Sequence, residues 1–313
     1  MKVFVTGSAG HLARVLLPRL CSHPSITRVT GIDRLKTRYT HNKLHSHRLD
    51  LRDARIAERL PEHDVLIHLA FITTRSLLGL TPWARHNERE MYDINVTGSA
   101  RLFEQARAAA IPHIVYNSSA SVYGAWPDNP TRVNEDQVRR IMPDFAYARH
   151  KVLVEDWLDG FEPTYAGSVI RLRPHVIMGP HAIPLLKRVL LHAGYPRLPE
   201  PQPLTQLVHE QDVVGAIINA CFRPRRGTYN LGTEPLTTLM EMKHVLHHRP
   251  RPLPFKALKA VHRLLWNTLG VGEDPGWMQA TQYPLALDSR RAQQDLGWHP
   301  RYDTLQILQE LKR

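Results

Sequence analysis

The chain has 313 residues, of which 42% are apolar, and its 41 Lys and Arg against 29 Asp and Glu give a formal net charge of +12. That length supports one large domain, or a large and a small one, around a substantial core. No apolar run reaches the roughly 18 residues of a bilayer span, and the cations are spread along the chain without a recognition helix, zinc finger or RNP motif, so a solvated basic surface is expected rather than a nucleic-acid partner. Met1–Gly7 reads as a strand entering a turn, with no apolar h-region of a signal peptide. Cys21 and Cys221 lie far apart without ligand spacing, and two buried thiols in a reducing, cytoplasmic setting are expected.

In chain order, Val3–Thr6 reads as a strand, Leu12–Cys21 as a helix that stops near Pro24, and Val29–Asp33 as a second strand. His41, His45 and His47 follow in a polar stretch. No Cys, Asp or Glu pattern completes a metal site there, so a solvated loop and no metal are expected. Val65–Ala70 is a strand, Asn95–Ala110 a helix and His113–Ser118 a strand. Strands alternating with helices predict an α/β fold, a doubly wound parallel Rossmann sheet. Beyond about residue 175 the pattern changes. Pro196, Pro199, Pro201 and Pro203, then Pro250, Pro252 and Pro254, predict loops around shorter elements. The expected division is a dinucleotide-binding domain over residues 1–174, joined by returning elements from about 205–235, and a smaller substrate-binding part over 175–313. His247 and His248 read as a solvated pair. Phe255, Leu258, Val261, Leu265 and Leu269 fall on one helical face, with Lys256, Lys259 and Arg263 off it. Such a basic amphipathic helix packs as core, forms a lid or lies on an anionic membrane surface.

Between the first strand and first helix stands Thr6-Gly7-Ser8-Ala9-Gly10-His11-Leu12-Ala13. Glycine permits the tight turn, and the following helix N-terminus offers N–H groups and a positive dipole end to a pyrophosphate. Gly7, Ala9, Gly10, His11 and Leu12 are the candidate contacts. Asp33 ends the second strand twenty residues after Ala13. A carboxylate there binds the adenosine ribose and repels a 2′-phosphate, which favours NAD over NADP. Arg34, Lys36 and Arg38 follow, and a cation among them would accept a 2′-phosphate.

Tyr147 and Lys151 stand at i and i+4, one face of a helix. An ammonium beside a phenol favours the phenolate, which predicts a lowered Tyr147 pKa and a general acid–base role. Asn117-Ser118-Ser119-Ala120-Ser121-Val122-Tyr123-Gly124 follows a strand. Its hydroxyls, Ser118 and Ser119 among them, point to the crevice where this architecture binds ligands.

The chain as a whole resembles the extended short-chain dehydrogenase/reductases, the NAD-dependent epimerase/dehydratase family. Gly7, Gly10 and Ala13 match the family's glycine loop, Asp50-Leu51 its adenine-contacting pair, and His68-Leu69-Ala70, with Phe71, its strand-end loop. Asn95 opens a helix reading Asn-Val-Thr-Gly. Ser119, Tyr147 and Lys151 fall on the catalytic triad, and Ser118, Tyr147 and Lys151 count also among the cofactor contacts, Lys151 through the nicotinamide ribose. Arg173-Pro174 and Gly179-Pro180 match a segment lying against the nicotinamide, which adds Pro174 and Val176 to the cofactor contacts. Val208–Val213, Tyr229–Gly232 and Leu296–Pro300 match further signatures. The resemblance implies NAD as cofactor, a small-molecule substrate and a homodimer paired through two long helices, Asn95–Ala110 and the one bearing Tyr147.

The departures from the family pattern narrow the chemistry. Ser119-Ala120-Ser121 stands where sugar dehydratases carry Thr-Asp-Glu, and Ser121 replaces the Glu of decarboxylating relatives, so neither activity is implied. The pattern is similar to nucleotide-sugar 4-epimerases and 3β-hydroxysteroid-type dehydrogenases. Val176 and Thr205 occupy the places where nucleotide-sugar enzymes hold the diphosphate with Asn and Arg. Arg171, Lys187, Arg188 and Arg197 are candidate substitutes. The expected activity is an epimerase-like hydride transfer at a carbinol carbon of a nucleotide sugar. The alternative is a dehydrogenase or reductase of a non-nucleotide, lipid-like alcohol or ketone. A silent dinucleotide sensor is the third reading, disfavoured by the intact Ser119, Tyr147 and Lys151.

Overall fold

The computed structural model describes residues 1–73, 87–198, 200–247, 249–269 and 276–312. Pro199 and His248 lie outside the described residues, as do the side chains of Leu265 and Leu269. The first half runs β1 (Lys2–Thr6), α1 (His11–Ser22), β2 (Arg28–Asp33), β3 (Leu44–Arg48), β4 (Val65–His68), α2 (Asn87–Tyr92), a π turn over Asp93–Thr97, α3 (Gly98–Ala108), β5 (His113–Asn117), α4 (Ala146–Phe161) and β6 (Ser168–Pro174). The second half adds β7 (Val176–Met178), α5 (Pro184–Leu191), β8 (Gly194–Arg197), β9 (Leu204–Thr205), β10 (Leu207–His209), α6 (Glu210–Cys221) and β11 (Gly227–Leu231). It ends with β12 (Thr237–Thr238), α7 (Leu239–Leu246), β13 (Arg251–Pro254), α8 (Phe255–Leu269), α9 (Gly276–Gln279), α10 (Arg290–Leu296) and α11 (Thr304–Lys312).

Seven parallel strands form one sheet in the order β11-β6-β5-β4-β1-β2-β3. Apolar residues fill the central strands because both faces are covered. Val3 and Val5 look toward α1, α6 and α10, while Phe4, Leu66 and Ile114 look toward α3 and α4. The chain begins in the middle and winds outward in both directions, so β1 and β4 part at their carboxyl ends and open the crevice there. β11, from the second half, completes the sheet beside β6.

Four readings need correction. The stretch with His45 and His47 is not a loop but β3, paired with β2 at the sheet edge. Its residues are exposed or half-buried, so the apolar alternation that marks a strand is missing. The predicted helix from Asn95 starts earlier, at Asn87, and Asn95 itself lies in the π turn. Pro196, Pro252 and Pro254 sit in strands, the isolated parallel pair β8–β13, where a proline loses no ladder bond to a central neighbour. In α8, Leu258 faces the interior cleft while Val261 lies exposed, so the two do not share one buried face. Among the described residues no cluster of three His, Cys, Asp or Glu could hold a metal ion, and no helix is long and apolar enough to cross a membrane.

Candidate active site

A continuous cleft of about 950 Å³ runs from the carboxyl ends of β1 and β2, past β5 and α4, to the second-half elements. At its first end Gly7 holds φ at +76°, and a Cβ there would stand 2.7 Å from the Ala70 nitrogen. Only glycine lets the β1–α1 turn lie so close to the β4 strand-end loop. Gly10 precedes α1 as its N-cap, with no side-chain cap, and α1 has no acidic residue in its first turn. Its first N–H groups therefore have no anionic side chain to satisfy them, the condition for binding a phosphate. The Asp33 carboxylate accepts from Ala9 N at 3.0 Å and Leu35 N at 2.8 Å, bracing the turn. His11, Leu12, Arg34, Asp50 and Leu51 line the same end. Arg52 grips both Asp50 oxygens, at 2.8 and 3.0 Å, and its hydrogen bonds hold that carboxyl below the usual range against the opposing effect of burial.

The strand-end loop is pinned by a buried chain of hydrogen bonds. Ala70 N donates to Thr6 Oγ1 at 3.2 Å, and Thr6 Oγ1 meets His68 Nδ1 at 2.6 Å. His68 Nε2 meets Ser99 Oγ at 2.9 Å, and Ser99 donates in turn to the Asn95 carbonyl. Burial pushes His68 down to about 3, so it is neutral. The Asn95 amide clasps the backbone of Ile72, accepting from N at 2.7 Å and donating to O at 2.9 Å. The family resemblance makes Asn95 a cofactor contact. It does not line the cleft but positions the loop carrying Leu69, Ala70 and Phe71, all of which do.

The three triad candidates meet on the cleft wall. Ser119 caps the short 3₁₀ turn after β5, and its hydroxyl accepts from Ser121 N at 3.1 Å. Tyr147 and Lys151 project from α4. Lys151 Nζ donates to the Asn117 carbonyl at 2.7 Å and lies 3.7 Å from the Phe71 ring centre and 4.7 Å from that of Tyr116. Burial drives its pKa well below the ordinary value, against the pull of Glu155, while the two ring faces favour the cation. The expected lowering of Tyr147 is not found. Burial lifts its phenol to about 12, and a hydrogen bond with Ser119 offsets only part of that. Lys151 Nζ stands 6.0 Å from the Tyr147 ring centre, and burial of the phenol outweighs it. Ser118 lines the cleft, but its hydroxyl is committed to Glu155.

Two features escaped the sequence reading. Behind the triad, buried Glu155 takes Arg173 Nε at 2.9 Å, and Arg173 reaches Tyr123 OH at 2.6 Å. Tyr123 donates to Asn230 Oδ1 of β11 at 2.8 Å. Burial alone would raise the Glu155 pKa, yet Arg173 holds it below the usual value. Glu155 follows Lys151 by four residues, so the i, i+4 series that singled out Tyr147 and Lys151 carried this signal too. In front, Trp277 of α9 stacks on Tyr147 at 5.6 Å between ring centres, tilted 20°. Phe71 meets Tyr147 edge-on at 5.6 Å. Nothing local in the sequence ties residue 277 to residue 147.

Toward the second half the cleft turns apolar. Ile177, Met178, Leu186, Leu190, Leu207 and Met242 form its walls, with Pro174, Val176 and Thr205 at the entrance to this half. His175 donates from Nε2 to the Leu285 carbonyl at 2.9 Å, and burial takes it down to about 4. Of the four cationic substitutes, Arg171 is buried against Asp159 and Glu162. Lys187 donates to the Pro180 carbonyl at 3.2 Å. Neither it nor Arg197 lines the cleft, and Arg188 does.

The glycine cradle, the uncapped helix N-terminus and a cleft leading from them to the triad fit NAD, and Gly10, His11 and Asp33 are the residues that would hold it at this end. Comparison with known proteins agrees. The family model described as "NAD dependent epimerase/dehydratase family" matches residues 3–232. UDP-glucose 4-epimerase of Mycolicibacterium smegmatis is 27% identical, covering 96% of this chain and 94% of its own. Sterol demethylase protein B of Methylococcus capsulatus is 27% identical over 80% of this chain and 76% of its own. Among solved structures, MoeE5 in complex with UDP-glucuronic acid and NAD superposes with a TM-score of 0.77 at 23% identity, covering 99% of this chain and 97% of that one. The chain belongs to the NAD-dependent epimerase/dehydratase family and is an NAD-dependent enzyme of the epimerase or dehydrogenase type.

Proposed function

We propose that the protein interconverts an alcohol and a ketone on an apolar, non-nucleotide substrate. NAD, when bound, takes up or returns the hydride. Ser119 holds the substrate oxygen by a hydrogen bond, and Tyr147 gives that oxygen its proton or removes it. Lys151 spends one N–H on Asn117 and keeps others for the cofactor ribose. With its phenol near 12, Tyr147 is protonated at neutral pH, which suits it to donate a proton to a ketone oxygen. Trp277 and Phe71 flank Tyr147 and exclude water from that proton's path.

The observation that carries the substrate class is the lining of the second half. Aliphatic side chains form most of it, with Arg188, Glu210, Gln206, His181, His192 and His262 among them, and by the family resemblance Val176 and Thr205 replace the Asn and Arg that hold a diphosphate. A diphosphate left without them would be desolvated unpaired, a large cost. The likeness to sterol demethylase protein B supports an apolar substrate. Two observations favour the nucleotide-sugar epimerase reading. Arg188 lines the cleft, and the UDP-glucose 4-epimerase likeness spans nearly the whole chain. Homodimer formation through α3 and α4 belongs to this proposal and is read by sedimentation velocity.

The deciding experiment has two parts. Cofactor released on denaturation is quantified, and NADH consumption is followed with apolar ketones and, separately, with UDP-sugars. Reversible NADH binding and turnover of an apolar ketone are expected. Tightly retained NAD with epimerisation of a UDP-sugar would overturn the substrate assignment. A protein that binds no dinucleotide would overturn the whole reading.

A further inference from the structure

The rim of the apolar half concentrates the molecule's positive charge. Residues 181–199 and 242–269 hold nine Lys and Arg and no Asp or Glu, so these two stretches supply +9 of the net +12. Lys243 is buried and hands its three N–H groups to the carbonyls of Val189, Leu190 and His192 at 2.6, 2.9 and 2.6 Å, tying α7 to the end of α5. The other eight are exposed or half-buried, and among the described residues none pairs with a carboxylate.

The same rim exposes apolar side chains. Val261 is 57% exposed, Leu264 62%, Val189 53% and Leu253 38%. On α8 the exposed residues Ala257, Ala260, Val261 and Leu264 repeat at i, i+3, i+4 and i+7, a single helical stripe. Lys256 and Arg263, seven residues apart, run along one flank of it. The opposite side of the helix puts Leu258 and His262 on the cleft wall. Val189 and Leu253 belong both to the exposed patch and to the cleft lining, so patch and cleft are continuous.

An exposed apolar stripe edged with cations has to be matched by a partner that is apolar and anionic at once. A second copy of this face would bring eight further cations against these eight. A nucleic acid would meet the cations and leave the stripe in water. An anionic bilayer meets both, with headgroups against Lys256 and Arg263 and the acyl boundary against Val261 and Leu264. We propose that α8, with the adjoining ends of α5 and β13, docks on an anionic lipid bilayer, and that the cleft mouth there draws its apolar substrate from the membrane. The docking stands on the geometry alone, and the delivery of substrate rests on the apolar-substrate reading above.

The test is flotation of the full chain with vesicles of phosphatidylcholine, with and without phosphatidylglycerol. Binding to the anionic vesicles only, weakening as salt rises, is expected. A Val261→Glu/Leu264→Glu variant loses that binding by tenfold or more, on the order expected for moving two acidic groups against acyl chains. Removing a cation, as in Lys256→Gln or Arg263→Gln, lowers the vesicle partition coefficient by about fivefold each. NADH binding, followed by fluorescence, stays unchanged in all of these variants and shows that they fold. Absence of binding to anionic vesicles at low salt overturns the docking. So does binding that Val261→Glu/Leu264→Glu leaves intact, or a wild-type dimer that this variant splits into monomers. Vesicle binding needs no turnover, so its failure is distinct from failure of the catalytic reading. Turnover of a UDP-sugar beside intact vesicle binding removes only the delivery step.

Discussion

Tyr147 is held protonated by its surroundings, with burial lifting its phenol to about 12 and Ser119 hydrogen-bonded to it. Replacing it by Phe keeps the ring stacked on Trp277 and removes only the proton. Tyr147→Phe is expected to lower kcat by about 10²–10⁴-fold with NADH affinity unchanged, measured by steady-state kinetics and fluorescence titration. The same pKa sets a direction. Alcohol oxidation needs the phenolate, whose fraction rises with pH up to about 12, so that rate climbs steadily from neutral to alkaline pH while ketone reduction stays level. A pH–rate series in both directions checks this. Glu155 makes a different demand, since it is a buried charge balanced by Arg173. Glu155→Ala leaves Arg173 uncompensated and is expected to cost about 3–5 kcal/mol in denaturant unfolding. Of these residues, Tyr147 and Lys151 were legible from their spacing because a helix converts i, i+4 into a shared face. The pKa of Tyr147 was not, because it depends on Phe71 and Trp277, which reach it from distant segments.

The π turn at Asp93–Thr97 gives the clearest case of an element serving the site from behind. It presents the Asn95 side chain to the Ile72 backbone and the Asn95 carbonyl to Ser99. Asn95→Leu fills similar space and leaves Ile72 N and O unpaired. It is expected to destabilise the fold by about 1–3 kcal/mol and to weaken NADH binding, because Phe71 then loses its fixed place over Lys151. Unfolding curves and NADH titration measure the two effects. The elements of the doubly wound sheet were readable where both faces are buried, as in Val3–Thr6 and Val65–His68. β3 was not, since an edge strand of Leu, His, Ser and Arg takes its register from backbone bonds to β2 rather than from apolar alternation. α8 was readable as a helix, but its facing was not. Sequence periodicity gives a stripe, and only the neighbouring β8 and β13 decide which stripe turns inward.

Across the whole molecule, buried titratable groups bound the stable pH range. Tyr123, Tyr147 and Tyr165 are each raised to about 12 from 10. Above pH 10 the unfolded chain has released these protons while the native one retains them. The stability these three tyrosines contribute is therefore full below pH 10 and is lost as pH rises toward 12. His68 and His175 are lowered from 6.5 to about 3 and about 4. Below pH 6.5 the unfolded chain takes up protons that the native state refuses, so stability also falls as pH drops toward 3. The midpoint of thermal unfolding is expected to decline below pH 6.5 and again above pH 10.

β11 has one more consequence, for the order in which the molecule assembles. The strand enters the sheet beside β6, and its Asn230 closes the chain of bonds through Tyr123 and Arg173 to Glu155. A ribosome delivers β6 more than fifty residues before β11. During that interval β6 presents Val169, Ile170 and Leu172 along an unpaired edge, and Arg173 waits with its network unfinished. A nascent or truncated chain ending near residue 174 is thus an adhesive intermediate, dependent on chaperones to stay apart from its copies.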